Sequence, residues 1–188
     1  MHMIRHNYYI LTGAPGAGKS ALLKLLLDRG LHGIDEPGRR VLAEQRRVNE
    51  SGVPGKDNRQ FVDLMLMKAI EDYKAAAALE GKVLFDRGIP DNLAYAAHFG
   101  FDHPDAEKAA GDFRYNGAVF FFPSWEAIYT RDEERIISFE VACSFGERLR
   151  AVYRNLGYHM IDVPCVPVEE RLQFILCRLA ENGSDNPT

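Results

Sequence analysis

Several things are scarce in this chain, and each scarcity closes off a class of function. There are only three cysteines in 188 residues, Cys143, Cys165 and Cys177. None is spaced for a metal site or a redox pair, and an odd count argues against a disulfide framework. They read as reduced thiols of a cytoplasmic protein. The six histidines form no cluster with metal-ligand spacing. No apolar run is long enough to span a membrane. Met1 to Asn7 lacks the apolar stretch of a secretory signal. Basic charge is not in excess: the formal net charge is −4, which argues against general nucleic-acid binding. Internal repeats and low-complexity tracts are absent. The length suits one domain, residues 1–188, with a polar tail at 182–188 expected to fray.

What is present begins with Gly13-Ala14-Pro15-Gly16-Ala17-Gly18-Lys19-Ser20. This is G-x-x-x-x-G-K-[ST], the phosphate-binding P-loop. Its glycines let successive N–H groups turn toward a phosphate chain. Lys19 adds positive charge near the β- and γ-phosphates, and Ser20 offers a hydroxyl to Mg²⁺. The flanks suit the motif. Tyr8 to Leu11 is an apolar, strand-forming run, and Ala21 to Leu27 is a strong helix former ending before Gly30. Strand, glycine loop and helix together predict a bound nucleoside triphosphate, ATP or GTP, with Mg²⁺.

Short apolar runs alternate with helical periodicity along the rest of the chain. Strands are expected near Leu31–Ile34, Val83–Phe85, Ala118–Phe122 and Tyr158–Val163. Helices are expected over Arg39–Glu50, around Val62–Ala77, over Asp91–Phe99, and around Val141–Leu156 and Leu172–Leu179. The pattern predicts an α/β fold of three layers, with a parallel five-stranded sheet of nucleotide-kinase type and the P-loop strand in its middle. Ligands of such sheets sit beyond the carboxyl ends of the strands. Glu36, Asp86, Pro123 and the segment after Val163 all fall at such ends.

Asp86 after an apolar strand suits a magnesium-associated acid. Its neighbour is Arg87 rather than a second acid, which favours holding a transferring phosphate over activating water. Glu36 ends the second strand, where a carboxylate can take an acceptor's proton; a plain turn acid is the alternative. Arg39, Arg40 and Asp91 are assigned with Glu36 to the acceptor side. Arg131 and Arg135 precede the long helix and suit a lid that closes over phosphates, with an exposed, ion-paired helix as the alternative. Trp125 is expected in the core, with the lining of the acceptor pocket as the alternative.

Phe85-Asp86-Arg87-Gly88-Ile89-Pro90-Asp91-Asn92-Leu93-Ala94-Tyr95 resembles a hallmark of bacterial AAA-domain proteins assigned as ATPases or kinases. Glu36-Pro37-Gly38-Arg39 resembles their E-P-A-R segment, and Phe122 to Tyr129 followed by Asp132, Glu134, Arg135 and Ser138 to Glu140 resembles their pattern as well. The likeness runs from Tyr8 to Ala180. That family is similar in fold to nucleoside and nucleotide kinases and to the nicotinamide riboside kinase domain of a bacterial NAD regulator. The resemblance implies Glu36 as a base, Asp86 near magnesium, Arg87 on phosphate, and Pro164 to Pro167 against the nucleotide base. Two features of nucleoside kinases are missing: the tryptophan after Glu-Pro, and the serine whose place Gly88 takes. The function expected is a small-molecule kinase with an unidentified acceptor. The alternative is a nucleotide-binding regulatory NTPase with slow hydrolysis.

Overall fold

The computed structural model describes residues 3–48, 50–129 and 137–181. Its centre is β2 (Tyr8–Gly13), the strand that runs into the P-loop, and every residue of it is buried. A strand covered on both faces cannot alternate polar and apolar residues, which is why Tyr8 to Leu11 reads as a continuous apolar run. Around it lie β3 (His32–Ile34), β4 (Val83–Asp86), β6 (Ala118–Phe122) and β7 (His159–Asp162). The order is β3-β4-β2-β6-β7, and all neighbours pair in parallel. The P-loop strand is thus in the middle, as the sequence predicts.

Strand side chains alternate between two apolar layers. On one face Tyr8, Ile10, Phe85 and Phe121 pack against α3 (Asn58–Ala75), α4 (Asp91–His98), α5 (Pro104–Asp112) and α6 (Phe139–Asn155). On the other, Tyr9, Leu11, Leu84 and Phe120 meet α1 (Lys19–Leu27) and α7 (Val168–Glu181). Helix α2 (Pro37–Val48) leans on α3 through Val41, Phe61 and Met65. It begins at Pro37, two residues before the expected start, because proline's fixed φ suits the first helical position.

The residues between Gly100 and Gly117 hold elements the sequence reading passes over. Helix α5 starts at Pro104, carries Asp105 and Glu107 in its first turn, and is capped by His103, whose Nδ1 accepts from the Ala106 N–H at 3.3 Å. A two-residue strand β5 (Phe113–Arg114) then pairs in parallel with β1 (Met3–Ile4) as a separate small sheet. Two-residue strands are too short to leave a periodicity signal. No helix among the described residues is long and apolar enough to cross a membrane.

Candidate active site

The P-loop is built from backbone positions that favour glycine. Gly13 has φ +131°, and a Cβ there would lie 2.2 Å from the Phe122 carbonyl oxygen on β6. Gly16 and Gly18 also have positive φ, and Gly18 is the residue from which α1 starts. Lys19 follows and is 5% exposed. Its ammonium donates to the carbonyls of Gly13 at 3.3 Å and Ala14 at 2.9 Å, inside the curve of the loop. Burial, reinforced by Arg87, lowers its pKa to about 8, against the pull of Asp86, Glu36 and Asp91.

Asp86 ends β4 directly across from Ser20. The Ser20 hydroxyl donates to Asp86 Oδ2 at 2.7 Å. Asp86 Oδ1 is buried and has no hydrogen-bond partner. Burial, with repulsion from Glu36, raises the Asp86 carboxyl above its usual range, while Lys19 and Arg87 oppose that. A carboxylate oxygen left bare beside a hydroxyl fits a hard divalent cation that takes its remaining ligands from phosphates and water. No three His, Cys, Asp or Glu side chains placed to hold a metal ion cluster among the described residues.

Arg87 is the one non-glycine residue with positive φ among the described residues, at +74°. Its N–H donates to the Leu11 carbonyl at 2.9 Å, continuing the β2–β4 ladder by one bond, and its side chain reaches the underside of the P-loop. There Nε donates to Glu36 Oε1 at 2.9 Å, while Nη1 donates to Asp91 Oδ1 at 2.9 Å and to the Gly13 carbonyl at 3.3 Å. Backbone strain of this kind persists where surrounding contacts over-determine it. Burial would raise the Glu36 carboxyl. Arg87, Lys19 and Arg39 outweigh burial and hold it below its ordinary value, so Glu36 is ionised. Arg39 Nε completes the cluster, donating to Glu36 Oε2 at 3.2 Å.

A cavity of about 1030 Å³ opens beside these groups. Pro15, Gly16, Gly18, Lys19, Ser20, Glu36, Arg39 and Arg87 all border it. Gly13, Ala14 and Ala17 form the inner turn of the loop, and Asp86 reaches the site through Ser20.

Two expected site residues are elsewhere. Arg40 points across to α3 and pairs with both carboxylate oxygens of Asp72. It lies one position from Arg39, about 100° around the helix, and so turns away from the cavity. Asp91 is 2% exposed. Its oxygens accept from Thr12 Oγ1, Arg87 Nη1, the Gly88 N–H and the Tyr153 hydroxyl. Asp91 therefore holds Arg87 in place and has no face toward an acceptor. Arg131 and Arg135, with the expected lid at 130–135, lie outside the described residues, as does the 182–188 tail.

Arg171 in α7 is a site residue that sequence reasoning missed. It is 6% exposed and has no ion-pair partner among the described residues. Nη1 donates to the Ala17 carbonyl of the P-loop at 3.1 Å, Nε has no partner, and the guanidinium lies 5.2 Å from the Trp125 ring centroid. Burial lowers its pKa. Trp125 is accordingly half-buried rather than core. With Phe122, Pro164 and Cys165 it borders a narrow slot that Arg171 closes. Nothing in the local sequence Val168-Glu169-Glu170-Arg171 distinguishes this arginine from a solvated first-turn residue.

A P-loop over an Asp–Ser pair, on a parallel sheet of this order, defines a P-loop enzyme of the kinase or NTPase type. Residues 8–171 match the family model described as an AAA domain, and the chain belongs to that family. A search of curated proteins returns no match. Among solved structures, the deoxyadenosine kinase of M. mycoides with bound dCMP and dCDP is similar, with TM-score 0.64 and 13% identity over 93% of this chain and 98% of that one. The YorR protein of Bacillus subtilis, in complex with phosphorylated GDP, gives TM-score 0.62 and 16% identity over 96% and 99%. Thymidylate kinase from Ehrlichia chaffeensis gives 0.62 and 16% over 92% and 97%. At these identities the likeness establishes a shared fold.

Proposed function

We propose that this protein is a cytoplasmic kinase, a single P-loop domain, that transfers the γ-phosphoryl group of ATP or GTP to a hydroxyl of a small molecule. The observation that carries the reading is the Glu36–Arg87 pair. The pair borders the same cavity as the P-loop, and that cavity continues past both along α2 to Leu42 and Arg46, which leaves room for an acceptor beside the nucleotide. A hydroxyl acceptor fits better than a phosphate. Both cations at this neck, Arg87 and Arg39, are already bonded to carboxylates, and an incoming phosphate would meet the Glu36 carboxylate with like charge.

In this reading the P-loop N–H groups and Lys19 bind the β- and γ-phosphates. Ser20 and Asp86 would hold Mg²⁺, whose charge would offset that developing on the phosphates. The acceptor hydroxyl donates a hydrogen bond to Glu36, which orients its oxygen toward the γ-phosphorus. That oxygen bonds to phosphorus as the bond from phosphorus to the bridging oxygen breaks. The nucleoside diphosphate leaves, and the hydroxyl proton passes to Glu36. Because Arg87 and Arg39 keep Glu36 a weak base, its contribution is mainly orientation with late proton transfer. Arg87 stabilises the transferring group, and Arg131 and Arg135 are its lid partners. The nucleotide base stacks near Trp125 and Pro164, with Arg171 moving aside. The test is release of nucleoside diphosphate across a panel of small metabolites, against hydrolysis with nucleotide alone. Release that rises with one hydroxyl compound supports the kinase. Release that stays at the hydrolytic baseline with every compound supports the regulatory NTPase.

A further inference from the structure

Beyond Glu36 the cavity continues along α2, and its walls change character. The middle stretch is apolar and largely aromatic: Leu42, Phe61, Tyr95, Phe99 and Phe145. The Tyr95 ring is the centre of this group, 4.7 Å from the Phe145 centroid and 6.3 Å from that of Phe61. Such walls favour a flat or apolar body and give little to a freely hydrated one.

The far mouth is different again. Arg46 and Lys56 both border it and both are exposed. Neither has an ion-pair partner among the described residues, whereas Arg39, Arg40 and Lys68 around them are all paired. Glu50 is the acid at this mouth, and Gln45 is occupied by the Gly52 N–H at 3.1 Å. Two cations against one acid is a local reversal of the chain's overall sign, which is −4. Arg39, Leu42 and Arg46 share a face of α2, and seven residues at 1.5 Å each place Arg46 about 10 Å beyond Arg39.

Resting on the kinase reading, we infer that the acceptor has an apolar, ring-sized body and carries an anionic group at the end away from its reacting hydroxyl. The body sits between Tyr95, Phe61 and Phe145, and the anion meets Arg46 and Lys56. The distal anion sets register. It draws the molecule in with its neutral hydroxyl end leading toward Glu36, and it discriminates against uncharged analogues of the same shape.

The test uses two fluorescent probes of the same apolar build on the intact protein. Anilinonaphthalene sulfonate carries an anion, and phenylnaphthylamine does not. Each is titrated without nucleotide and again with the β,γ-imido analogue of ATP and Mg²⁺. The expected result is that both bind and stay bound when the nucleotide analogue is added. The double variant Arg46→Glu/Lys56→Glu should weaken the sulfonate by about tenfold and leave the neutral probe within about twofold. Equal effects on the two probes, an unchanged sulfonate affinity, displacement of both by the nucleotide analogue, or no binding of either would overturn the inference. Because the titration needs no turnover, failure of the kinase reading would appear separately, as an absence of phosphoryl transfer in the metabolite assay.

Discussion

Replacing Glu36 by glutamine separates the chemistry from the architecture. The glutamine carbonyl can still accept from Arg87 Nε, so the contact seen at 2.9 Å survives in neutral form. Arg87 also keeps Asp91 as a counter-ion at 2.9 Å, so it is not left as a buried uncompensated charge. The stability cost should therefore stay near 1 kcal/mol, well short of the roughly 3–5 kcal/mol of a broken buried pair. Phosphoryl transfer should suffer more. A neutral amide accepts a hydrogen bond from the hydroxyl less strongly and cannot take its proton. Base assistance is typically worth about 10²–10⁴-fold, or roughly 3–5 kcal/mol of barrier. Because Glu36 is held as a weak base by Arg87 and Arg39, we place the loss at the lower end, about 10²-fold in kcat. Nucleotide affinity should change by less than about threefold, since Glu36 stands on the acceptor side of the P-loop. The assay is steady-state transfer beside calorimetric nucleotide binding, with thermal unfolding as the fold control. Transfer at the parent rate in a folded variant would show that Glu36 is a turn residue and that the proposed route of the proton is wrong.

Other expectations follow from the same geometry. Asp86→Asn should lower magnesium-dependent nucleotide binding and turnover together, because it removes the carboxylate bonded to Ser20; a variant with normal magnesium dependence would move the cation elsewhere. Lys19 is near half-neutral at pH 8 in the free protein, and bound phosphates favour its charged form. Nucleotide binding at about pH 8.5 should therefore take up a proton and weaken as pH rises further, which calorimetry in buffers of different ionisation enthalpy will read. Trp125 is the sole tryptophan, so its emission should change when nucleotide displaces Arg171 from its ring. Arg171→Ala, which removes the group the nucleotide has to displace, should lower KM for nucleotide while leaving acceptor KM unchanged; an unaltered emission on binding would remove Arg171 from the donor site. Arg40→Ala should cost about 1 kcal/mol of stability, through Asp72, and nothing in catalysis.

The parts of the molecule legible in the sequence are those whose physics is local. The P-loop declares itself because Gly13, Gly16 and Gly18 meet backbone demands that favour glycine. The three central strands declare themselves because burial on both faces leaves an unbroken apolar run such as Ala118–Phe122. Glu36, Asp86 and Arg87 could be placed because strand ends in a parallel sheet converge on one edge. What depends on helix rotation or on long-range contact was not legible. Arg39 and Arg40 are adjacent in sequence, and only the phase of α2 sends one to the cavity and the other to Asp72. Asp91 reads as an acceptor-side acid until Thr12 and Tyr153, 79 and 62 residues away, are seen to saturate it. Arg171 reaches the P-loop from 154 residues downstream of Ala17, with no motif to mark it. Helix α5 was a different kind of miss, since His103-Pro104-Asp105 carried a cap, a first-position proline and a first-turn acid.

The central claim is that phosphate leaves the nucleotide for another molecule rather than for water. The most direct measurement is to incubate the protein and Mg²⁺ with γ-labelled ATP or GTP and a small-molecule cell extract, and to follow the label by chromatography and mass spectrometry. The account predicts label in an organic phosphomonoester, formed one for one with nucleoside diphosphate and about 10²-fold more slowly in Glu36→Gln. Label found only in inorganic phosphate, at the same slow rate with and without extract, would contradict it.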